Sequence, residues 1–413
     1  MSKKHVLILW ILAALLGASV AAVRISQNKG AEAVTKLSRG DLLFGHIPAA
    51  EITTIKVEDH EQSTTLTKTD GGWVVGERGD FPANIPVLAA LLDNLNGVKI
   101  GQGLEAGPTY NARFGMDGTA TDPDEHGLLL TLTAPGKDPW TVALGKTTAG
   151  EQSMMNPMAP PSGGGRYVRI SDEPESVYVI EETFPRVTAD PKDWLSEEFL
   201  QVSKLKSISL RAPNDSAFEP WSLARDSATG EFTLEGLGEQ ETLIDTVVSP
   251  LKNLFSFARF EDVLSEEVAK ELRDDSLARQ AVLTTFDGLT YTVEIAPKKA
   301  EEGAEPEPAS NPNHLLRFTV TADLPEQRSP ADDESEEDKT KKDAAFAKEQ
   351  KELREKLAKV QKLQGRVFEI TKWTVDPLLK SRADMVAPEE HPAPTYQPPP
   401  APGLQDQFGF PSR

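Results

Sequence analysis

Few residues of this chain stand at spacings that do chemistry. Gly145-Lys146-Thr147 ends like a phosphate-binding loop, in which backbone N–H groups and a lysine cradle phosphates. Such a loop needs a glycine five residues ahead of Gly145, and Trp140 stands there, so the nucleotide reading fails. Ser162-Gly163-Gly164-Gly165 has no lysine behind it and reads as a loop, and no Gly-x-Ser-x-Gly elbow of a serine hydrolase occurs. The histidines (His5, His46, His60, His126, His314, His391) never fall at the i, i+4 spacing of a helical metal site. His126 lies in Asp122-Pro123-Asp124-Glu125-His126-Gly127, which offers oxygen ligands. A calcium loop, however, is longer and closes on a bidentate carboxylate, so this reads as a solvated turn. Carboxylate pairs are plentiful in so acidic a chain, and none stands out as an acid/base pair. Arg39-Gly40-Asp41 and Arg78-Gly79-Asp80 are adhesion-type tripeptides short enough to arise by chance; the second suits the approach to a hairpin. No catalytic, cofactor-binding or metal-binding residue is assigned, no cofactor is expected, and the chain reads as a non-enzyme.

Composition narrows the class further. The 413 residues suit two or three domains, and 38% hydrophobic content is enough for a core. A net charge of -21 argues against nucleic acid, whose phosphates call for Lys/Arg patches. The absence of cysteine removes disulfides, thiolate metal sites, cysteine nucleophiles and a lipidated N-terminal cysteine.

The elements come next. Ser2-Lys3-Lys4-His5 precedes an unbroken apolar run from Val6 to Val23, near the lower limit for crossing a bilayer. Residues 1–23 read as a transmembrane anchor, with Lys3 and Lys4 favouring a cytoplasmic N-terminus. The rival is a cleaved signal peptide, with Ser19 and Ala21 at the cleavage site. Residues 24–49 read as a polar stalk. Residues 50–200 form a first α+β module. Ile55 and Val57 alternate with polar residues, and Leu66 does likewise; Asp70-Gly71-Gly72 is a turn, and Trp73-Val74-Val75 resumes the strand. Asn84 caps a helix whose stripe is Val87, Leu88, Leu91, Leu92, Leu95 and Val98. Strands follow at 128–132, 140–144, 167–170 and 177–180, with a Pro/Gly-rich loop at 154–165.

The same order recurs over 201–386, the second module. Ile208 and Leu210 stand for Ile55 and Val57; Leu223-Ala224-Arg225, a turn and Phe232-Thr233-Leu234 stand for Leu66-Thr67-Lys68, a turn and Trp73-Val74-Val75. Val247, Val248, Leu251 and Phe255 repeat the helical stripe, although Pro250 should kink that helix or delay its start. A hairpin, 281–286 with 291–295, turns at Asp287-Gly288. Arg366–Ile370 echoes Arg166–Ile170, and Asp384-Met385 echoes Asp193-Trp194. The tryptophans Trp73, Trp140, Trp194, Trp221 and Trp373 are expected in the core. Residues 298–364 are a charged insertion: a Pro/Glu-rich segment 298–313, a strand 315–321, an acidic run 332–338, and a helix 344–363. The helix carries Phe346, Leu353 and Val360 at heptad spacing, to pack on its own module or in a coiled coil with a partner helix. The segment 330–364 looks removable without unfolding the modules. The tail 387–413, with Pro398-Pro399-Pro400 and Pro402, is polyproline-prone and not expected to fold.

The pattern Ile55-Lys56-Val57, Leu66-x-Lys68-x-Asp70-Gly71-Gly72-Trp73-Val74-Val75, Phe81-Pro82-Ala83 and Val87-x-x-x-Leu91-Leu92-x-x-Leu95 resembles the DUF4340 domain family. Leu144-Gly145, Tyr167-Val168-Arg169 and Val177-Tyr178-Val179 are also similar to it, and so is the N-terminal anchor. The resemblance spans about residues 50–390 if both copies count; the second departs by Phe232 in place of the tryptophan and by the insertion. It implies a bacterial, membrane-anchored protein, of a family some of whose members are encoded beside ABC transporter and gliding-motility components, and it carries over no catalytic residue.

The expected architecture is thus α+β: two tandem modules, each a mainly antiparallel sheet with one principal helix, behind a transmembrane helix. The expected role is a non-enzymatic accessory or scaffold protein of a bacterial envelope membrane complex, single-pass in the inner membrane, with the bulk of the chain in the periplasm and protein partners in that membrane. An extracytoplasmic enzyme or ligand-binding protein acting on envelope polymers is the alternative. The anchor has a direct test. N-terminal sequencing of the mature protein should find residues 6–23 still attached; a start near Ala22 would make the protein a secreted one.

Overall fold

The computed structural model describes residues 35–120, 122, 125–148, 164–299, 313–325, 327–328 and 334–388. The anchor expected at 1–23, residues 24–34 of the stalk, most of the 154–165 loop, residues 300–312 of the insertion and the tail from 389 lie outside the described residues. Among the described residues no helix is long and apolar enough to cross a membrane. The chain divides into two compact units. One comprises the chain up to Glu198 with Phe260–Ala269 and Val367–Glu369; the other comprises Phe199–Arg259, Lys270–Arg366 and the chain from Ile370. The fold is α+β, with antiparallel strand pairing and few helices.

The first unit is a nine-stranded sheet. Its strands are β1 (Thr54–Glu58), β2 (Ser63–Thr69), β3 (Gly72–Val75), β4 (Phe81–Pro82), β5 (Ile100–Glu105), β6 (Leu128–Thr133), β7 (Trp140–Thr147), β8 (Arg166–Ile170) and β9 (Ser176–Ile180). They run in the order β4-β3-β2-β1-β6-β7-β8-β9-β5, antiparallel throughout. Alternation sends one face inward: Ile55, Val57, Leu66, Leu130, Leu132, Val142 and Leu144 are all fully buried. Each such side chain stabilises the fold by about 1.5–3 kcal/mol relative to exposure. Helix α1 (Ile85–Gly97) starts where Asn84 accepts a hydrogen bond from the Val87 N–H, and it buries Leu88, Leu91, Leu92 and Leu95, as the stripe requires. A short helix, α2 (Asn111–Phe114), follows β5.

The segment read as a stalk is part of this unit from Thr35 onward. Leu43 and Ile47 are buried. The Asn96 side chain of α1 takes the Ile47 N–H at 2.8 Å and donates to the Ile47 carbonyl at 3.0 Å. Gly40 and Leu43 donate backbone hydrogen bonds to the Ile100 and Val98 carbonyls. The polar composition concealed this, because few apolar residues are needed when backbone and an amide side chain make the attachment.

In the second unit, β10 (Leu205–Arg211), β11 (Trp221–Ala224), β12 (Thr233–Leu234), β15 (Arg279–Thr285), β16 (Leu289–Pro297) and β17 (His314–Ala322) run in the order β12-β11-β10-β15-β16-β17. A separate ribbon pairs β13 (Glu241–Leu243) with β19 (Val386–Pro388). The strands β14 (Asp262–Leu264) and β18 (Val367–Ile370), which fall in the first unit save for Ile370, pair antiparallel, Asp262 opposite Glu369. The helix expected at 247–255 is largely absent. Only α3 (Asp245–Val248) is α-helical, and the chain tightens into a 3-10 turn over Ser249–Asn253, because Pro250 has no N–H to continue the ladder. Val248, Leu251 and Phe255 are nevertheless buried. Phe255 adopts φ 59°, a left-handed conformation unfavourable for a bulky residue.

After α4 (Glu266–Leu272), the long helix of the chain is α5 (Glu336–Gln361), eight residues longer at its start than the expected 344–363. Leu353 and Val360, with Leu363 beyond the helix, are buried, and α5 lies against β17. The heptad stripe therefore packs on its own unit at those two positions. Loss of the segment 330–364 would therefore uncover apolar surface on β17. Two short helices, α6 (Lys372–Val375) and α7 (Arg382–Met385), lead to β19. Arg366–Ile370, expected to echo Arg166–Ile170, contributes β18, whose partner is β14, whereas β16 pairs with β17. Phe318 stands opposite Val293 as Ile170 stands opposite Val142.

Candidate interaction surfaces

The residues singled out for chemistry are mostly occupied by structure. Gly145 ends the inward run of β7, and a Cβ there would lie 2.3 Å from the Phe114 carbonyl oxygen. Its smallness serves this close approach. In the second tripeptide Arg78 forks onto Asp262, Nε to Oδ1 at 2.6 Å and NH2 to Oδ2 at 2.9 Å, so the guanidinium is committed within the first unit. Gly79 and Asp80 continue with φ 62° and 54°. In the first tripeptide Gly40 has φ 93°, and the Asp41 carboxylate closes a turn by accepting the Ser38 N–H. The Asp122–Gly127 turn is held by backbone hydrogen bonds from Asp117 to Glu125 and from Glu125 to Asp122. His126 and His60 approach to 3.6 Å between ring centroids, inclined 41°. Sequence spacing could not have found this pair, whose members lie 66 residues apart and meet because β1 pairs with β6. Among the described residues no group of three His, Asp or Glu side chains could hold a metal ion.

Two open clefts lie on the first unit. One, of about 560 Å³, is lined by residues of both signs, among them Arg39, Lys99, Asp93, Glu181 and Glu182. The other, of about 420 Å³, includes Asp59, His126, Lys146 and Arg166. Burial lowers the Arg166 pKa, yet its donors are used on carbonyls: Nε on Gly145 at 2.7 Å and NH1 on Thr183 at 2.8 Å. Deeper in the same unit Tyr178 donates to Glu173 and receives the Leu37 N–H; burial first, then Glu173, raises the phenol pKa. In the second unit the Tyr291 hydroxyl is pushed up to about 12 by burial and by the Asp287 carboxylate.

The remaining exposed surfaces are of another kind. Among the tryptophans, Trp194 and Trp221 are core residues, their indole N–H groups on the Thr188 and Lys380 carbonyls. Trp73 and Trp140 are half-buried. Trp373, expected in the core, is 77% exposed, because it sits on a single-turn helix rather than on a strand. On α5, from Glu336 to Glu349 only Phe346 is even half-buried. That half is sustained by local charge, such as Lys341 on Glu337 at 2.7 Å, and by its start. Ser335 accepts the Asp338 N–H, and Glu334 takes hydrogen bonds from Arg328 at 2.9 Å and Lys342 at 2.6 Å. These partners hold the Glu334 carboxyl at about 2.

The architecture is that of an α+β protein of antiparallel sheets that offers faces, loops and a charged helix. A family model described as "Domain of unknown function (DUF4340)" matches residues 73–281, just over half of the chain, and the protein belongs to that family. No curated protein and no solved structure matches it.

The Glu334 cluster sets a pH dependence. Its folded pKa is depressed, so its stabilisation is complete above the ordinary carboxyl value of 4.5 and is lost as pH falls toward about 2. The protection of the amides in the first turns of α5, taken relative to the unfolded chain at each pH, should persist at pH 5 and fall toward pH 2. In Glu334→Gln the protection should be lower at neutral pH and should lose this dependence on pH.

Proposed function

We propose that this protein is a non-enzymatic scaffold subunit of a bacterial envelope membrane complex, of the ABC-type transport class, held by a single N-terminal transmembrane segment and built from two copies of one α+β module in the periplasm. Strand register is the observation that carries the duplication. In the first unit Ile55 faces Leu66 and Leu132, Leu66 faces Val75, and Leu130 faces Val142. In the second, Ile208 faces Leu223 and Leu283, Leu223 faces Leu234, and Ala281 faces Val293. The return of the chain also repeats: the Asn84 N–H donates to the Trp194 carbonyl, and the Ile244 N–H to the Met385 carbonyl, each at 2.8 Å. This supports the pairing of Asp384-Met385 with Asp193-Trp194. The apolar run from Val6 to Val23 supports the envelope setting. A helix half exposed along its first turns and two strongly exposed aromatic side chains support action through surfaces.

The test uses the exposed half of α5, where charge can be changed without touching buried residues. The full-length protein, extracted from its own membranes in mild detergent, should migrate on native gels in a complex several times its own mass of 45.0 kDa. Lys339→Gln with Lys348→Gln should weaken its hold in that complex, and a circular-dichroism spectrum matching the parent chain would show that the helix persists. Migration as the bare chain before any substitution would contradict the scaffold reading. So would a turnover that is lost when a residue of either cleft is replaced.

A further inference from the structure

The cleft of about 420 Å³ on the first unit gathers positive charge that carboxylates do not match. It is built around a bulge in β7. Leu144 faces Val168 and Thr147 faces Arg166, so β7 advances three residues where β8 advances two. In a regular strand Lys146 and Thr147 would point to opposite faces. The bulge breaks that alternation, and both line the cleft. Arg166 closes the bulge, its Nε on the Gly145 carbonyl at 2.7 Å and its NH2 on that of Leu144 at 3.4 Å, while NH1 reaches the Thr183 carbonyl at 2.8 Å. These carbonyls hold the half-buried guanidinium in place without neutralising it, and its pKa is moved by burial alone, downward.

Among the described residues no carboxylate pairs with Arg166 or with the exposed Lys146, although the chain has 65 acidic residues to 44 basic. His126, in the same wall, has its Nε2 buried without a hydrogen-bond partner. The one carboxylate of the lining is Asp59, whose Oδ1 already accepts the Glu61 and Gln62 N–H groups at 2.8 Å. A charge withdrawn from water without a counter-ion is costly, and an anion from solution would supply what the chain withholds. Lysine meets phosphate as a point charge, and the exposed Thr147 hydroxyl adds a donor beside it. The volume suits a small ligand. The geometry differs from a glycine-loop nucleotide site, because side chains at a strand bulge would hold the anion.

We propose that this cleft binds a phosphate group, with Lys146 and Thr147 as its direct ligands and Arg166 as a fixed charge beside them. The site goes beyond the scaffold role and does not depend on it.

Titration calorimetry and thermal melting of the full-length protein in neutral detergent test this, with inorganic phosphate as the probe. Phosphate should bind saturably, with a dissociation constant of order millimolar or below. It should raise the melting temperature beyond the effect of sodium chloride at equal ionic strength. Lys146→Ala should weaken binding about tenfold, and Lys146→Arg should restore most of it. The Lys146 side chain is exposed, so folding is not at stake. Asp59→Asn keeps the oxygen that closes its turn and removes the opposing charge, so it should tighten binding, a sign that a merely structural role would not give. Displacement of phosphate by phosphatidylglycerol mixed into the micelles would assign the group to a lipid headgroup, and failure to displace it would assign the group to a soluble phosphate. The proposal would be overturned by an absence of saturable binding, by an effect that sodium chloride matches, or by binding that Lys146→Ala leaves unchanged.

Discussion

Strand register is the constraint on which the rest of the molecule depends. Side chains alternate across a strand, so a slip of one residue would turn Ile55, Val57, Leu66, Leu130 and Leu132 from the interior into water at once. Several features pin it. The Thr64 hydroxyl, fully buried between outward neighbours, donates to the Ala189 carbonyl at 2.8 Å. The Lys68 N–H returns to the Thr53 carbonyl, as the Arg225 N–H returns to that of Lys206 in the second unit. Gly127 and Gly145 let neighbouring carbonyls approach to distances that a Cβ would forbid.

A chain of net charge -21 must keep its carboxylates solvated or paired, and it does both. Arg78 holds Asp262, Arg382 holds Glu241 at 2.7 Å, and Arg317 holds Glu294 at 2.8 Å. These pairs are used in structure, and the clefts of the first unit mix both signs at open surface. What distinguishes the exterior is geometric: a helix packed by its second half only, and two aromatic rings left in solvent. In the proposed scaffold role these are the features that would meet other polypeptides.

Much of the fold was legible because it rested on periodicity. The strands around Ile55, Leu66, Leu130, Val142 and Val293 and the helix capped by Asn84 follow from alternation, turn residues and one apolar stripe. The misreadings share a cause, which is that local pattern does not report long-range partners. Thr35–Pro48 read as a stalk because its attachment is by backbone hydrogen bonds and Asn96. Trp373 read as core because tryptophan usually is. Arg366–Ile370 matched Arg166–Ile170 by residue type, which does not report the strand it pairs with, β14. Pro250 warned of a disturbed helix, and the disturbance proved nearly complete. Of the surfaces, the charged helix was visible in its composition. The exposed pair Phe257 and Trp373 was not, since exposure of an aromatic residue is decided by what the distant chain fails to cover.

The central claim is that one strand pairing is laid down twice. A chain without cysteine permits a direct measurement by disulfide trapping. Lys56 stands opposite Thr65, and Ser209 opposite Ser222, whose hydroxyls lie 3.0 Å apart; these are matching places in the two units. Facing pairs of this kind bring Cβ atoms close enough for a disulfide, and pairs displaced by two residues do not. The account predicts that Lys56→Cys with Thr65→Cys and Ser209→Cys with Ser222→Cys each oxidise rapidly, while Lys56→Cys with Thr67→Cys and Ser209→Cys with Ala224→Cys do not. Trapping of a displaced pair in either unit, with the facing pair left reduced, would contradict it.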